Sequence, residues 1–339
     1  MCYPMGRRTE RRKKKKFSPK LFCVFILYQI IFIGITAPLL VFYGPFKNVK
    51  KTLVGTAMYT FKHQYIATLF LNEKDINKVL NKDNSGSMVK NIEQNFQDIK
   101  IGNMRDNSIV RYNIHKNRFD GYLLEIKNPK KVKVACTKNI GIQGQRVSEM
   151  AEGNKAAAAI NGGGFYDQNT SGKEWVGTGA YPEGIVISKG EVVWKNVKED
   201  EKVDVMAFNE KGELIVGKKS LKQLKELNVK EALSFNKTLI MNGQPLVEDY
   251  GEQGLQPRTA IGQKKDGTVV FLVIDGRKLF KEGADLKDVQ DILLKQGVWN
   301  AGSLDGGSSS TMYYKGNVIN NPCNRDGERT VATAFYVEP

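Results

Sequence analysis

The chain has 339 residues, enough for a large hydrophobic core, but only two histidines, His63 and His115. This scarcity of histidine disfavours a Ser-His-Asp hydrolase, a His-ligated zinc enzyme and a phosphohistidine mechanism. The formal net charge is +16, and half of the excess lies in residues 1–20, while the rest of the chain is moderately basic and shows no nucleic-acid-binding module.

A continuous apolar stretch, Leu21–Tyr43, follows the basic N-terminal residues 1–20. As a helix it would be about 34 Å long, which is enough to cross a bilayer. The run is longer than the core of a signal peptide and does not end in a small-residue cleavage site, so an uncleaved anchor is favoured. By the positive-inside rule, residues 1–20 form a cytoplasmic tail, and everything after Tyr43 lies outside the cell membrane.

Residues 44–106 are rich in Lys and Asn and are predicted to form a stalk. Short helical patterns occur at Glu73–Leu80 and at Met88–Phe96. The apolar segment Thr56–Leu71 is suited to lie on a membrane surface or to pack as a helix against the domain. The favoured interpretation of the whole segment is a spacer without a chemical role.

From residue 107 to residue 339 the sequence changes to short strands separated by turns, with a helical pattern at Leu286–Gln296. Strands greatly outnumber helices, which predicts an α+β domain with a mixed, largely antiparallel sheet and few short helices. Two cysteines of this region, Cys136 and Cys323, are compatible either with a disulfide or with two free thiols.

Three short apolar strands in this region each end in Asn or Asp followed by glycine. Polar side chains at strand ends, next to backbone that glycine leaves accessible, are typical of sites mounted on sheets. The alternative is three unrelated turns. The three strand ends are Asn161-Gly162, Asp275-Gly276 and Asp305-Gly306.

The last of these strand ends belongs to the stretch at residues 301–314, AGSLDGGSSSTMYY. An acid, two glycines and three serines between two strands form either an ordinary hairpin turn or a loop that offers bare N–H groups to a ligand. The serines lack a recognisable general base, which indicates ligand binding or a turn instead of nucleophilic catalysis. Three arginines lie beside such loops and favour a phosphate ligand over isolated surface ion pairs; they are Arg258, Arg277 and Arg329.

Taken together, these motifs resemble the phosphodiester glycosidase family, which has an uncovering-enzyme-like domain and bacterial exopolysaccharide-related members. The resemblance extends over roughly residues 107–339 and departs from the family at Gly164, where members often have an aromatic residue. The motifs in chain order are Ala158–Asp167 (AAINGGGFYD), Pro257–Gly262 (PRTAIG), Asp275–Arg277 (DGR), Leu304–Ser309 (LDGGSS) and Arg329.

The resemblance implies cleavage of the bond between an anomeric carbon and a phosphodiester oxygen in envelope or exopolysaccharide material. A phosphate leaving group needs neutralisation of charge more than it needs a strong acid, which fits the arginines. Asp305 is the first candidate for the carboxylate that activates water or attacks the sugar, Asp275 the second, and Glu183 a further acid. The predicted substrate-binding residues are Asn161, Arg258, Arg277, Gly306, Gly307, Ser308 and Arg329.

No cofactor is predicted, although a divalent cation near Asp305 or Asp275 is conceivable without an assignable ligand set. The expected partners are a carbohydrate phosphodiester and, through the N-terminal helix, the membrane; no nucleic-acid partner is expected. Two alternatives stay open: a non-catalytic glycan-binding or assembly module, and a phosphodiesterase that breaks the P–O bond of teichoic-acid-like polymers.

Overall fold

The computed structural model describes residues 18–58, 63–80, 92–102, 104–166, 178–235, 237–248, 250–251, 253–324 and 326–339. Residues 88–91 of the predicted helical pattern at Met88–Phe96 lie outside these residues, as does Asp167 of the family motif. Residues 92–96 of that pattern are described and are not helical, so this part of the prediction is wrong. The chain divides into two compact units, residues 1–47 and residues 48–339.

The described part of the first unit is one apolar helix, α1 (Pro19–Tyr43). Ser18 caps its first turn, and Pro19 occupies a position where a missing N–H costs no hydrogen bond. The helix is long and apolar enough to cross a membrane. The predicted apolar helix is therefore present, with bounds that differ from the prediction by two residues at its start.

The second unit contains six helices in its described residues. They are α2 (Lys47–Met58, which begins at the boundary), α3 (Tyr65–Thr68), α4 (Glu73–Val79), α5 (Val147–Gly153), α6 (Leu221–Glu226) and α7 (Leu286–Lys295). Short 3-10 turns occupy Pro129–Lys131 and Gly307–Ser309.

Nineteen strands are present in the described residues of the same unit. They are β1 (Ile109–His115), β2 (Asp120–Ile126), β3 (Val132–Cys136), β4 (Ala158–Asn161), β5 (Phe165–Tyr166), β6 (Tyr181–Pro182), β7 (Ile185–Ser188), β8 (Glu191–Lys195), β9 (Val203–Asn209), β10 (Leu214–Lys219), β11 (Val229–Ser234), β12 (Lys237–Met241), β13 (Gln244–Pro245), β14 (Arg258–Lys264), β15 (Val269–Ile274), β16 (Val298–Leu304), β17 (Met312–Tyr314), β18 (Asn317–Val318) and β19 (Thr333–Val337).

The strands form three larger sheets and one two-stranded ribbon. The first sheet has the order β1-β2-β15-β14-β16-β12-β13, the second β10-β9-β11-β7-β8, and the third β18-β17-β4-β19-β3, while β5 pairs with β6. Neighbouring strands in the described residues pair antiparallel, as in the register Arg258↔Ile274 between β14 and β15. This architecture confirms the predicted α+β class with largely antiparallel sheets.

One hydrophobic core joins the inner faces of the three large sheets, and β15 shows how the sequence produces it. Its six residues are β-branched, aromatic or leucine, and all are buried. Val269, Phe271 and Val273 point into the central core, whereas the alternate residues point to the opposite face. That opposite face packs against α7, whose buried residues include Leu286, Val289 and Leu293 at helical spacing.

Described residues of the predicted stalk contact a loop and a sheet edge of the second unit. In α2, Thr56 Oγ1 accepts a hydrogen bond from Leu255 N over 3.1 Å. Further along, Gln94 bonds the edge of β10 through Leu214 O at 2.6 Å and Val216 N at 2.9 Å. These contacts make the two segments integral parts of the second unit.

Candidate active site

The ends of β4, β14 and β16 meet around the side chain of Asn161, which is fully buried. Its Nδ2 donates to the main-chain oxygen of Asp305 over 2.6 Å. Its Oδ1 accepts from Thr259 Oγ1 at 2.7 Å and from Thr311 N at 3.1 Å. This burial argues against the predicted contact with sugar hydroxyls, and Asn161 instead holds Asp305 in place.

The loop that carries Asp305 is fixed at both ends by backbone hydrogen bonds. Asp305 N donates to Gly162 O over 3.1 Å, and Gly307 N donates to Pro257 O over 2.9 Å. Gly306 lies so close to Pro257 that a Cβ there would stand 2.9 Å from its carbonyl oxygen. The half-buried side chain of Asp305 therefore projects from a rigid turn, and the N–H of Gly307 is already used within the protein.

Arg277 lies directly beside this loop. A Cβ on Gly307 would stand 3.0 Å from Arg277 Nη2, so the guanidinium occupies the space that a side chain at position 307 would need. Nη2 also donates to Gln256 Oε1 at 3.1 Å, and Nη1 contacts Cys323 Sγ at 4.0 Å. The backbone of Arg277 has φ +57°, a left-handed conformation that costs free energy for a residue with a Cβ, and the side chain is exposed.

Arg258 is buried and faces the protein interior. Its Nε donates to Ala284 O at 3.1 Å, Nη1 donates to Gln253 Oε1 at 3.1 Å, and Nη2 donates to the carbonyls of Gln253 and Gly254 at 3.0 and 2.7 Å. These hydrogen bonds account for four of the five N–H donors of a guanidinium. Arg258 therefore supports the loop at residues 253–254, whereas the exposed Arg277 is better placed for a phosphate.

Asp275 is also buried, at the end of β15. Its Oδ1 accepts from Asn320 Nδ2 at 2.9 Å, and both carboxylate oxygens accept from Asn321 N at 3.0–3.1 Å. Burial raises the pKa of this carboxyl, and the hydrogen bonds from Asn320 and Asn321 partly oppose the rise. Asn320 in turn bonds Ser310 O and Met312 N, so Asp275 holds the backbone that follows the serines.

Three consecutive glycines, residues 162–164, form a glycine run that Asp305 contacts at its first residue. Glu183 contacts the last residue of this run. Its N–H donates to Gly164 O over 2.9 Å, and its exposed carboxylate fills the space beside Gly164. A Cβ at that position would stand 2.7 Å from Glu183 Oε2 and 3.2 Å from the ring of Phe235. The departure from the family at Gly164 therefore makes room for an acid and a different aromatic residue.

Arg329 stacks over the ring of Phe165, with 4.8 Å between its guanidinium carbon and the ring centroid. Phe165 follows the glycine run directly and pairs with Pro182 in the two-stranded ribbon. Because Glu183 follows Pro182 in the chain, Arg329 and Glu183 lie near the same end of the glycine run.

The three serines of the loop differ in exposure. Ser308 is half-buried, whereas Ser309 and Ser310 are buried. Their two hydroxyls are buried and have no hydrogen-bond partner in the part of the chain that the structure describes. Ser308 is the serine that a ligand reaches from outside.

The structure brings Asn161, Asp305, Gly306, Gly307 and Arg277 together by direct contacts. Sequence reasoning overlooked several residues that organise the site. Thr259 could have been selected from the sequence, because it lies inside the PRTAIG motif and has a hydroxyl group. For Gln256 and Asn320 the sequence shows only the composition of a turn, which does not predict a role in the site. Within the described ranges, no group of three or more His, Cys, Asp or Glu side chains is arranged to hold a metal ion.

The two cysteines of the domain, Cys136 and Cys323, are both free thiols. Burial raises the pKa of Cys136 to about 12, and the nearby Glu231 carboxylate adds to the rise. That thiol is consequently unreactive, because the thiolate is the nucleophilic form.

Comparison with known proteins identifies the family of this chain. Residues 154–338 match the family model described as phosphodiester glycosidase. The SPbeta prophage-derived uncharacterized protein YomE of Bacillus subtilis is 46% identical over 65 residues, which are 19% of this chain and 10% of that protein. Bovine N-acetylglucosamine-1-phosphodiester alpha-N-acetylglucosaminidase is 38% identical over 68 residues, which are 20% of this chain and 13% of the bovine protein. The alignments thus span a small part of the length of these curated relatives.

A solved structure shows the same fold. The zebrafish N-acetylglucosamine-1-phosphodiester alpha-N-acetylglucosaminidase catalytic domain, auto-inhibited by its pro-peptide, superposes with a TM-score of 0.54 and 22% sequence identity. The superposition covers 68% of this chain and 82% of the zebrafish chain. Because the family model matches more than half of the 339 residues, this chain belongs to the phosphodiester glycosidase family.

Proposed function

We propose that this protein hydrolyses the bond between the anomeric carbon of a sugar and the oxygen of a phosphodiester. The observation that carries the proposal is the contact of the Arg277 guanidinium with Gly307, two residues after Asp305. Two peptide units span at most about 7 Å, so the Cα atom of Asp305 lies within about 7 Å of the residue that the guanidinium contacts. Such a pair of carboxylate and guanidinium suits a substrate that joins a phosphate to a sugar.

The reaction follows from the charges of these two groups. Water adds to the anomeric carbon, the bond from that carbon to the phosphodiester oxygen breaks, and the attacking water gives its proton to the Asp305 carboxylate. The leaving phosphomonoester gains negative charge relative to the diester, and the Arg277 guanidinium stabilises that charge where it develops. The products are a reducing sugar and a phosphomonoester.

Glu183 is the proposed second carboxylate. It contacts Gly164, Asp305 contacts Gly162, and the two glycine Cα atoms are at most about 7 Å apart. A glycosidase uses two such carboxyl groups, one on each side of the scissile bond. The buried, fully engaged Asp275 suits this role less well than the exposed Glu183.

Product analysis with the full-length protein in detergent tests this function. We expect a sugar-1-phosphodiester to yield a reducing sugar, and Asp305→Asn to lower kcat by about 10³-fold or more with an unchanged thermal midpoint. Asp200→Asn, which changes an exposed aspartate that the proposal gives no role, is the matched control. Release of a sugar phosphate and a free alcohol would instead assign P–O cleavage, and binding without product would assign a glycan-binding module.

We further propose that α1 anchors the protein in the cell membrane, with residues 1–20 in the cytoplasm and the glycosidase domain outside, where envelope or exopolysaccharide material is the substrate. The basic residues before the apolar helix support this orientation. External protease added to intact cells should digest the domain and spare an epitope placed before residue 20; protection of the domain would contradict the orientation.

A further inference from the structure

The turn between β15 and α7 exposes two large apolar side chains. Leu279 is 83% exposed and Phe280 is 78% exposed. The turn is closed by backbone hydrogen bonds in both directions between Lys278 and Lys281, at 3.0 and 3.1 Å. Phe280 has φ +60°, so the backbone adopts a disfavoured conformation at the position that presents the aromatic ring. We call residues 278–281 the apolar turn.

Along the chain, the charged side chains in and next to the apolar turn are mostly positive. Residues 277–282 read Arg-Lys-Leu-Phe-Lys-Glu, which gives three cationic side chains and one anionic side chain. Lys281 Nζ donates to Lys116 O and to Asp120 Oδ1 and thereby fixes one side of the turn. Two apolar side chains flanked by lysines match the boundary between acyl chains and anionic headgroups of a bilayer.

Contacts within the second unit link the apolar turn to the N-terminal part of the chain. Gln256 and Ala284 exchange two backbone hydrogen bonds just after the turn, and Gly283 packs against Gln256. The preceding loop, residues 251–255, packs against α2 through Thr56. In sequence, α2 begins four residues after the apolar helix α1 ends.

We propose that the apolar turn docks on an anionic lipid surface, with Leu279 and Phe280 at the acyl boundary and Lys278 among the headgroup phosphates. A sugar ligand is the weaker interpretation, because leucine has no flat face for stacking against a sugar ring. This docking rests on the proposed anchoring of α1 in a membrane, from which α2 is separated by a link of only a few residues.

Photocrosslinking of the full chain tests this docking without any measurement of activity. p-Benzoyl-phenylalanine replaces Phe280, and the protein is reconstituted into vesicles of phosphatidylcholine with phosphatidylglycerol. The matched control carries the same group in place of Asp266, in the exposed turn at the opposite end of β15, about 20 Å away along a six-residue strand. Lipid adducts are located by peptide mass spectrometry after irradiation.

We expect lipid adducts at position 280 and background levels at position 266. Lys278→Gln should lower the adduct yield at 280 by up to about fivefold in the anionic vesicles and leave it unchanged in phosphatidylcholine alone. Equal yields at both positions, no adduct at 280, or crosslinks from 280 to a second copy of the chain would each overturn the proposal. If the variant at 280 loses its circular-dichroism spectrum, the same group in place of Leu279 repeats the test.

Discussion

Nδ2 of Asn161 lies 2.6 Å from the main-chain oxygen of Asp305, and this hydrogen bond joins two strand ends that are 144 residues apart in sequence. The amide oxygen of the same side chain accepts from Thr259 and Thr311. Because these are buried polar groups, each loses a partner in Asn161→Ala, which we expect to cost about 2–5 kcal/mol of unfolding free energy and most of the activity. Urea unfolding and kcat/KM measure the two effects.

Asn161→Asp separates positioning from stability. It keeps an acceptor for Thr259 and Thr311 but places a second oxygen against the Asp305 carbonyl. We expect activity to fall far more than stability does. Asn317→Ala, at an exposed asparagine of β18, is the control, and wild-type kcat/KM in Asn161→Asp would refute the positioning role.

Arg277 should show a trade-off between stability and activity. Its φ of +57° is strained for arginine and free of strain for glycine. Arg277→Gly should therefore be about 1 kcal/mol more stable than Arg277→Ala, while both lower kcat/KM by about 10²-fold or more. Thermal unfolding and steady-state kinetics on the same samples check this, and undiminished turnover in either variant would remove the guanidinium from the mechanism.

Gly307 is expected to matter for space as well as for backbone conformation. Gly307→Ala would place a methyl group 3.0 Å from Arg277 Nη2. Gly297, at the other end of β16, has a similar positive φ of +76° but no atom within 4 Å of its Cβ position. Both alanine variants should lose about 1 kcal/mol of stability, and only Gly307→Ala should also raise KM for the phosphodiester.

If Gly297→Ala raises KM as much as Gly307→Ala does, backbone strain alone explains the increase in KM, and the contact with the guanidinium does not. An unchanged KM in both variants would place the substrate phosphate elsewhere.

Asp275 should contribute a distinctive pH dependence of stability. Burial raises its pKa in the folded protein above the usual 3.8, so the folded state holds the proton more tightly than the unfolded chain does. The stabilisation is complete below about pH 4 and is lost as the pH rises through the folded-state pKa. Unfolding free energies measured from pH 4 to pH 7 should therefore fall more steeply for the wild type than for Asp275→Asn.

Asp275→Asn keeps an acceptor for Asn320 and Asn321, so its fold should remain intact. Asp200→Asn, at an exposed position, should run parallel to the wild type over the same range. Parallel curves for Asp275→Asn as well would mean that this carboxyl titrates alike in the folded and unfolded states.

The elements of this fold were predictable wherever local pattern decides the structure. The short apolar strand predicted to end at Asp275 is β15 (Val269–Ile274), and the helical spacing at Leu286–Gln296 gives α7 at Leu286–Lys295. The local pattern is sufficient to predict β15, because both faces of this strand are buried: side chains alternate between the central core and the face that α7 covers.

The roles of individual site residues were less predictable, because they depend on contacts between distant segments. Glycine after Asn161 and Asp305 marked both as strand-end residues, yet only the folded chain shows that one is buried and the other half-buried. Arg258 and Arg277 look equivalent in sequence. They differ because the carbonyls of Gln253 and Ala284 engage the first, while a left-handed backbone holds the second at the surface.

The packing of α2 on residues 251–255 sets where the chain can be cut between the apolar helix and the glycosidase domain without loss of structure. A cut between Tyr43 and Lys47 separates α1 from the glycosidase domain and keeps the hydrogen bond between Thr56 and Leu255. A cut after Met58 leaves α2 on the N-terminal fragment. The loop at residues 251–255, whose Gly254 carbonyl accepts a hydrogen bond from Arg258, then loses the covalent link to the helix that packs against it. The 12 residues of α2 therefore separate a cleavage that keeps this packing from one that loosens it.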